Sequence, residues 1–155
     1  MPWWRSSIGS SQTAWPLHGY LAALMAHDIP AEPDYILAGE FRRGFGVRGT
    51  RELLALPQPP TAIFAGSDST ALGVLEEARN QGLRVPDDLS LVGFDGTDIT
   101  EQSVPRLTSV AQPLKEMGRT ALRSVLRLAA GETLDSPHVE LATHLVVRDS
   151  TAPPS

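Results

Sequence analysis

The sequence predicts an α/β fold, a three-layer lobe built on a mostly parallel sheet. Two short apolar runs, Thr61–Ala65 and Ser90–Phe94, have the length of buried strands. Each leads into turn-forming residues, Gly66-Ser67-Asp68 after the first and Asp95-Gly96-Thr97-Asp98 after the second. Between them lie segments whose apolar residues recur at helical spacing. Strands separated by helices imply β-α-β units, because a crossover must carry the chain back before a parallel neighbour can pair.

Taken in order, Leu17, Tyr20, Leu21, Leu24 and Met25 fall at i, i+3, i+4, i+7 and i+8, one face of a helix. Ile29-Pro30 and Pro33 end it. Tyr35–Ala38 reads as a short strand, and a helix covers Phe45–Leu56 until Pro57, Pro59 and Pro60. After Thr61–Ala65, a helix runs from Ala71 to Gln81, with Gly82 as its C-terminal stop. Leu107–Val110 is a further extended piece. Leu114, Met117, Ala121, Val125 and Leu128 mark a long amphipathic helix ended by Gly131. His138–Leu141 and His144–Arg148 read as two closing strands, and 151–155 as a disordered tail.

Composition narrows the function. The chain of 155 residues carries a formal net charge of -5, so no bulk positive field attracts nucleic acid. With no cysteine, a disulfide scaffold, a Cys-ligated zinc site and a Cys nucleophile are excluded. The four histidines, His18, His27, His138 and His144, show no ligand spacing, and no cofactor is expected. No apolar run has membrane-spanning length and the first residues lack the apolar core of a secretory signal, so a cytoplasmic location is the default expectation.

Four collinear segments carry a specific resemblance. Pro60-Thr-Ala-Ile-Phe-Ala-Gly-Ser-Asp-Ser-Thr-Ala-Leu-Gly-Val-Leu75 resembles the strand, turn and helix of the LacI/GalR family of transcriptional regulators. Gly82-Leu-Arg-Val-Pro-Asp-Asp-Leu-Ser-Leu-Val-Gly-Phe-Asp95 is similar to that family's most recognisable stretch. Pro105-Arg-Leu-Thr-Ser-Val-Ala-Gln-Pro113 resembles its crossover to a second lobe, and Leu145–Thr151 its final strand. The resemblance implies a periplasmic-binding-protein-like (type I) sensor domain over residues 1–150, a C-terminal lobe with an incomplete second lobe. A helix-turn-helix domain is expected to be absent, and Pro2-Trp3-Trp4 stands where the family has its apolar first strand. The implied function is effector sensing and dimerisation in a repressor rather than catalysis. The implied partners are a small molecule, sugar or nucleoside-like, a second copy of the chain, and operator DNA only through a headpiece this chain lacks.

The candidate ligand contacts are Asp95, Phe41, Ser67 and Gln112. Asp95 follows a buried strand, and a carboxylate accepts two hydrogen bonds at once from adjacent hydroxyls. Asp-Gly is equally the chemistry of a plain turn. Phe41 offers a flat apolar face to a sugar or base, or else anchors a loop to the core. Ser67 either touches ligand or caps the following helix, while Asp68 reads as structural. Gln112 is a polar crossover position before Pro113. Pro16 stands where the family carries an arginine that grips the effector, and proline offers no side-chain donor. The family's dimer contacts map to Ala71, Val74, Leu75, Ala78, Ile99, Val104 and Pro105.

Three alternatives remain open at this point. A solute-binding protein would have the same fold. Ser69, Asp95 and His138 or His144 occur in the chain order of an α/β-hydrolase triad, but the Gly-x-Ser-x-Gly elbow is absent. A phosphoacceptor receiver domain would need acidic partners beside Asp95, and none ends an earlier strand.

Overall fold

A computed structural model describes residues 11–134, 136 and 138–153. A helix α1 (Ser11–Ala26) leads through a single 3-10 turn at Pro33–Tyr35 to α2 (Arg43–Leu54). Then come β1 (Ala62–Phe64), α3 (Asp68–Asn80), β2 (Ser90–Asp95), a short α4 (Ile99–Gln102) and β3 (Thr108–Ala111). The long α5 (Leu114–Ala129) and β4 (His144–Val146) complete the order. The strands form one sheet in the order β1-β2-β3-β4. The first three are parallel, and β4 returns antiparallel to β3, with Ser109 opposite Val146. The parallel-dominated α/β lobe expected from the sequence is the one observed.

The core sits between α3 and the sheet. Ala71, Val74, Leu75 and Ala78 repeat at i, i+3, i+4 and i+7, and all four are buried with Leu89, Leu91 and Leu107. Burying a leucine side chain contributes about 1.5–3 kcal/mol, so this one helix face supplies much of the cohesion. These four residues were expected at a dimer interface. The structure corrects that: they form the helix's inward stripe, and no surface remains on them for a partner.

Helix α2 lies on α3 at close range because both present glycine where they cross. A Cβ on Gly46 would collide with the Thr70 carbonyl, and one on Gly73 with the Arg43 carbonyl. An ion pair locks the same contact. Arg51 donates from Nε to Glu77 Oε1 at 3.0 Å and from its terminal nitrogen to Oε2 at 2.9 Å. Gln81 Nε2 adds a third bond to Oε1 at 3.0 Å. The Glu77 side chain is only 2% exposed. The bonds from Arg51, and next that from Gln81, hold its pKa down from the ordinary 4.5 to about 2.

At the opposite end, Ser150 stitches two strands together. Its hydroxyl donates to the Leu91 carbonyl at 2.6 Å and accepts from the Thr108 amide at 2.8 Å. Ala152 continues this anchoring, since its amide donates to Ser90 Oγ at 3.1 Å. The tail expected to be disordered from 151 is therefore tied to the sheet through Thr151 and Ala152, because a buried strand end needs its backbone groups satisfied. The expectations for Met1–Ile8 and for residues 154 and 155 lie outside the described residues.

Among the described residues, two expected strands are not formed. Pro33 starts a 3-10 turn that draws in Tyr35, and the Ile36 amide donates back to the Pro33 carbonyl at 3.0 Å. Ile36–Ala38 then runs without a ladder to any described residue. At His138–Leu141, Ser136 Oγ bonds both the carbonyl and the amide of His138, so a local serine turn takes the groups a ladder would use. The expected α5 is present, but Leu114, Met117, Val125 and Leu128 of its apolar stripe are all exposed, and no α5 residue is buried.

Because Glu77 titrates lower folded than unfolded, its stabilisation is complete above about pH 4.5 and is lost as pH falls toward about 2. Urea melts between pH 2 and 6 are expected to show a shallower acid limb for Glu77→Gln than for the unchanged chain. Equal slopes would remove the Arg51–Glu77 pair from the list of acid-sensitive contacts.

Candidate functional site

The carboxyl ends of β1, β2 and β3 meet at one edge of the sheet, the place where open parallel sheets bind ligands. Asp95 ends β2 beside Ala111 of β3. It holds a positive φ of 111°, a region that costs a non-glycine residue about 1–3 kcal/mol and persists only where the surroundings enforce it. Gly96 follows at φ 70°, and a Cβ there would collide with Ala111. The turn therefore demands glycine, and it presses the Asp95 carboxylate against the start of the next crossover.

Gln112 receives that carboxylate. Its amide donates to the Asp95 carbonyl at 3.0 Å, and its side-chain Nε2 donates to Asp95 Oδ1 at 2.7 Å. Among the described residues, Oδ2 has no protein partner. Half-burial pushes the Asp95 pKa above the usual carboxylate value, the Gln112 bond opposes this, and the charge of Asp68 adds to the rise. Sequence expectation placed both Asp95 and Gln112 in the site, and the structure brings them into direct contact.

Asp68, the first residue of α3, holds this edge together. It is 1% exposed. Its Oδ2 accepts from the Thr97 amide at 2.7 Å and from Thr97 Oγ1 at 2.8 Å, and its Oδ1 accepts from Ser109 Oγ at 2.7 Å. One carboxylate thus joins a helix start, the loop after Asp95 and the middle of β3. Thr97 in turn accepts from Thr100 Oγ1 through its carbonyl at 2.7 Å. Thr97 and Ser109 escaped the sequence reading, because nothing in their local spacing marks residues that meet a distant aspartate.

Ser67 caps α3 rather than opening to a ligand. Its Oγ accepts from the Thr70 amide at 3.1 Å and contacts Thr70 Oγ1 at 3.0 Å, and the residue is 5% exposed. Its expected ligand role is corrected to a capping role: the hydroxyl is engaged and buried. Phe41 is 36% exposed and lies against Gly66, whose missing side chain makes room for the ring. Pro16 sits inside α1 and lines an apolar cavity with Leu17 and Tyr20. Of the expected dimer residues outside α3, Ile99 and Val104 are exposed and Pro105 half-buried. The hydrogen-bond partner of Asp95 is Gln112, and among the described residues no bond joins it to Ser69, His138 or His144. Nor does any group of three or more His, Asp or Glu there have the arrangement to hold a metal ion.

This geometry defines a class: an α/β lobe whose polar contacts gather at the carboxyl edge of a parallel sheet, where such sheets hold ligands. The chain belongs to the periplasmic binding protein-like domain family, whose model matches residues 9–151, in the form carried by LacI-type regulators. It is 44% identical over 135 residues to the HTH-type transcriptional repressor CytR of Escherichia coli K12, covering 87% of this chain and 40% of that protein. Among solved structures, the LacI-type transcription regulator of Bifidobacterium animalis subsp. lactis superposes with a TM-score of 0.88 at 28% identity, over 96% of this chain and 54% of that one. The transcriptional regulator CelR–cellobiose complex superposes at 0.82 with 38% identity, over 86% and 41%. The chain spans about two-fifths of the length of the curated relatives it matches. No helix among the described residues is long and apolar enough to cross a membrane.

Replacing Asp68 with alanine leaves the Thr97 amide and the Ser109 hydroxyl without their acceptor, a loss of about 2–5 kcal/mol. Denaturant unfolding of Asp68→Ala is expected to show it, with Asp68→Asn falling between. A variant as stable as the parent would show that the carboxylate does not bind the three elements together.

Proposed function

We propose that this chain is the effector-sensing part of a LacI-type transcriptional regulator, residues 1–150 forming the sensor domain. The observation that carries this is the Asp95–Gln112 pair. A strained, half-buried carboxylate, fixed at one oxygen and open at the other, stands where a ligand would reach the sheet. The open oxygen suits a hydroxyl pair of a sugar or a nucleoside-like molecule. Gln112 orients the carboxylate and, lying on the crossover, couples its position to the elements that follow. Phe41 supplies an apolar face for a ring. The likeness to a regulator solved with cellobiose supports a small polar effector.

The exposed apolar stripe of α5 supports a second lobe closing over the same edge, since a helix of this kind is stable in water only when its stripe is covered. Operator contact belongs to a headpiece not found in these residues, and a cytoplasmic location follows from that role. Pro16 provides no donor to an effector, so the polar grip rests on Asp95 and Gln112.

Titration calorimetry against pentoses, nucleosides and disaccharides is the direct test. One class is expected to bind, with affinity reduced at least tenfold by Asp95→Ala, in keeping with about 1.5–3 kcal/mol for a hydrogen bond to a charged group. Binding is also expected to weaken as pH falls through the raised Asp95 pKa, because the protonated acid loses acceptor capacity. An affinity unmoved by the substitution would remove Asp95 from the ligand site.

A homodimer is part of the same reading. Val104 is 74% exposed and Ile99 37%, and each offers apolar surface to a partner. Sedimentation of the chain is expected to show a dimer that Val104→Asp dissociates. A dilute, folded monomer of the unchanged chain would count against the interface.

A further inference from the structure

The polar side chains at the carboxyl edge divide into those already engaged and those still free. The Asp68 carboxylate accepts from Thr97 and Ser109. Thr97 Oγ1 donates its proton to Asp68, and Ser67 Oγ is engaged with Thr70. Gln112 Nε2 donates one N–H to Asp95 Oδ1 at 2.7 Å. An ionised carboxylate only accepts, so the amide nitrogen of Gln112 faces it and Oε1 is turned the other way.

What remains free is one-sided. Among the described residues nothing donates to Asp95 Oδ2 or to Gln112 Oε1, and both side chains are half-buried rather than sealed. Phe41, against Gly66 just past β1, offers the electron-rich face of its ring. Against these three stands the second N–H of Gln112 Nε2. No positive charge balances the edge either. Among the described residues neither Asp95 nor Asp68 enters an ion pair. The charge that acts on Asp95 is that of Asp68, of the same sign. Asp98, exposed in the same loop, adds another carboxylate.

We propose that the small molecule bound at this edge carries a protonated amine on a ring of sugar size, and that Asp95 and Gln112 accept from the ammonium while Phe41 faces its positive charge; this rests on the effector reading and names the ligand's charge. A neutral hydroxyl donates one proton and leaves the local charge as it was. An anion brings a further negative charge to a place that holds two carboxylates. An ammonium has three N–H donors and no acceptor, which is the complement of two free oxygens. Its bonds to Asp95 are charge-assisted, and its charge offsets those of Asp95 and Asp68 together. A cation is also drawn to the face of an aromatic ring.

Four matched probes test the charge: glucosamine, glucose, N-acetylglucosamine and glucose 6-phosphate, each titrated into the full chain at neutral pH. Binding is read by calorimetry and by the NMR signal of the Gln112 side-chain amide. Glucosamine is expected to bind at least tenfold more tightly than glucose or N-acetylglucosamine, with the phosphate weakest, and its advantage is expected to shrink as salt is added. Asp95→Asn removes the charge but keeps the size, and asparagine tolerates positive φ, so the turn survives. In this variant the affinity for glucosamine is expected to fall to that for glucose. Phe41→Leu, which keeps apolar area but not the ring, is expected to weaken glucosamine more than glucose. Asp95-dependent binding of glucose or the phosphate with no preference for the amine overturns the charge assignment and leaves the effector reading standing. Silence from all four probes in both measurements overturns the two together.

Discussion

The carboxylate of Asp68 is the constraint on which the sheet edge depends. It is buried at the first turn of α3, where a negative charge is favoured by the helix's aligned peptide dipoles. Three hydrogen bonds then tie that helix to Thr97 and Ser109. The loop after β2 has only a short helix of its own, so its path is set by this attachment. Gly93 shows how close the approach is: a Cβ there would lie 2.7 Å from Asp68 Oδ1. Glycine in the middle of a buried strand ordinarily weakens it. Here it gives the carboxylate room to sit above the sheet.

How much of this is legible in the sequence depends on whether the signal is local. The stripe at Ala71, Val74, Leu75 and Ala78 announces α3 by spacing alone, and Ser67-Asp68 announces its start. The direction in which that stripe faces is not local. A buried stripe and a dimer stripe have the same spacing, and only the presence of Leu89, Leu91 and Leu107 beneath it decides between them. The same limit explains Tyr35–Ala38 and His138–Leu141. Both have strand composition, but a strand exists only where a neighbour offers a ladder, and Pro33 and Ser136 supply competing local bonds. Asp95 and Gln112 could be named as candidates from their places after a buried strand and before Pro113. Their contact, 17 positions apart, required the register of β2 on β3.

The molecule is unevenly closed. On one side of the sheet α3 seals the core and α2 seals α3, with glycines at the crossing and a buried glutamate clamped by Arg51. Elsewhere, apolar surface is left over. Phe64 and Leu145 are exposed on the strands, and α5 shows its apolar stripe to solvent. Phe64 and Phe94 meet edge to face, with centroids 6.5 Å apart, yet Phe64 still faces water.

The chemistry of a plain Asp-Gly turn and the placing of a half-buried carboxylate at the sheet edge are here one arrangement. A chain leaving a parallel strand at its carboxyl end must turn without extending the ladder. Gly96 can do so against Ala111 only because it lacks a side chain. The same turn forces Asp95 to positive φ, and this fixes the carboxylate at the edge instead of letting it swing into water. Holding a charged group half-buried has a cost, visible in its raised pKa, and the Gln112 bond offsets part of it. A partner that donates to the free oxygen would offset more. The strain of the turn and the proposed affinity of the edge for a donor therefore have a common origin in the geometry of residues 95 and 96.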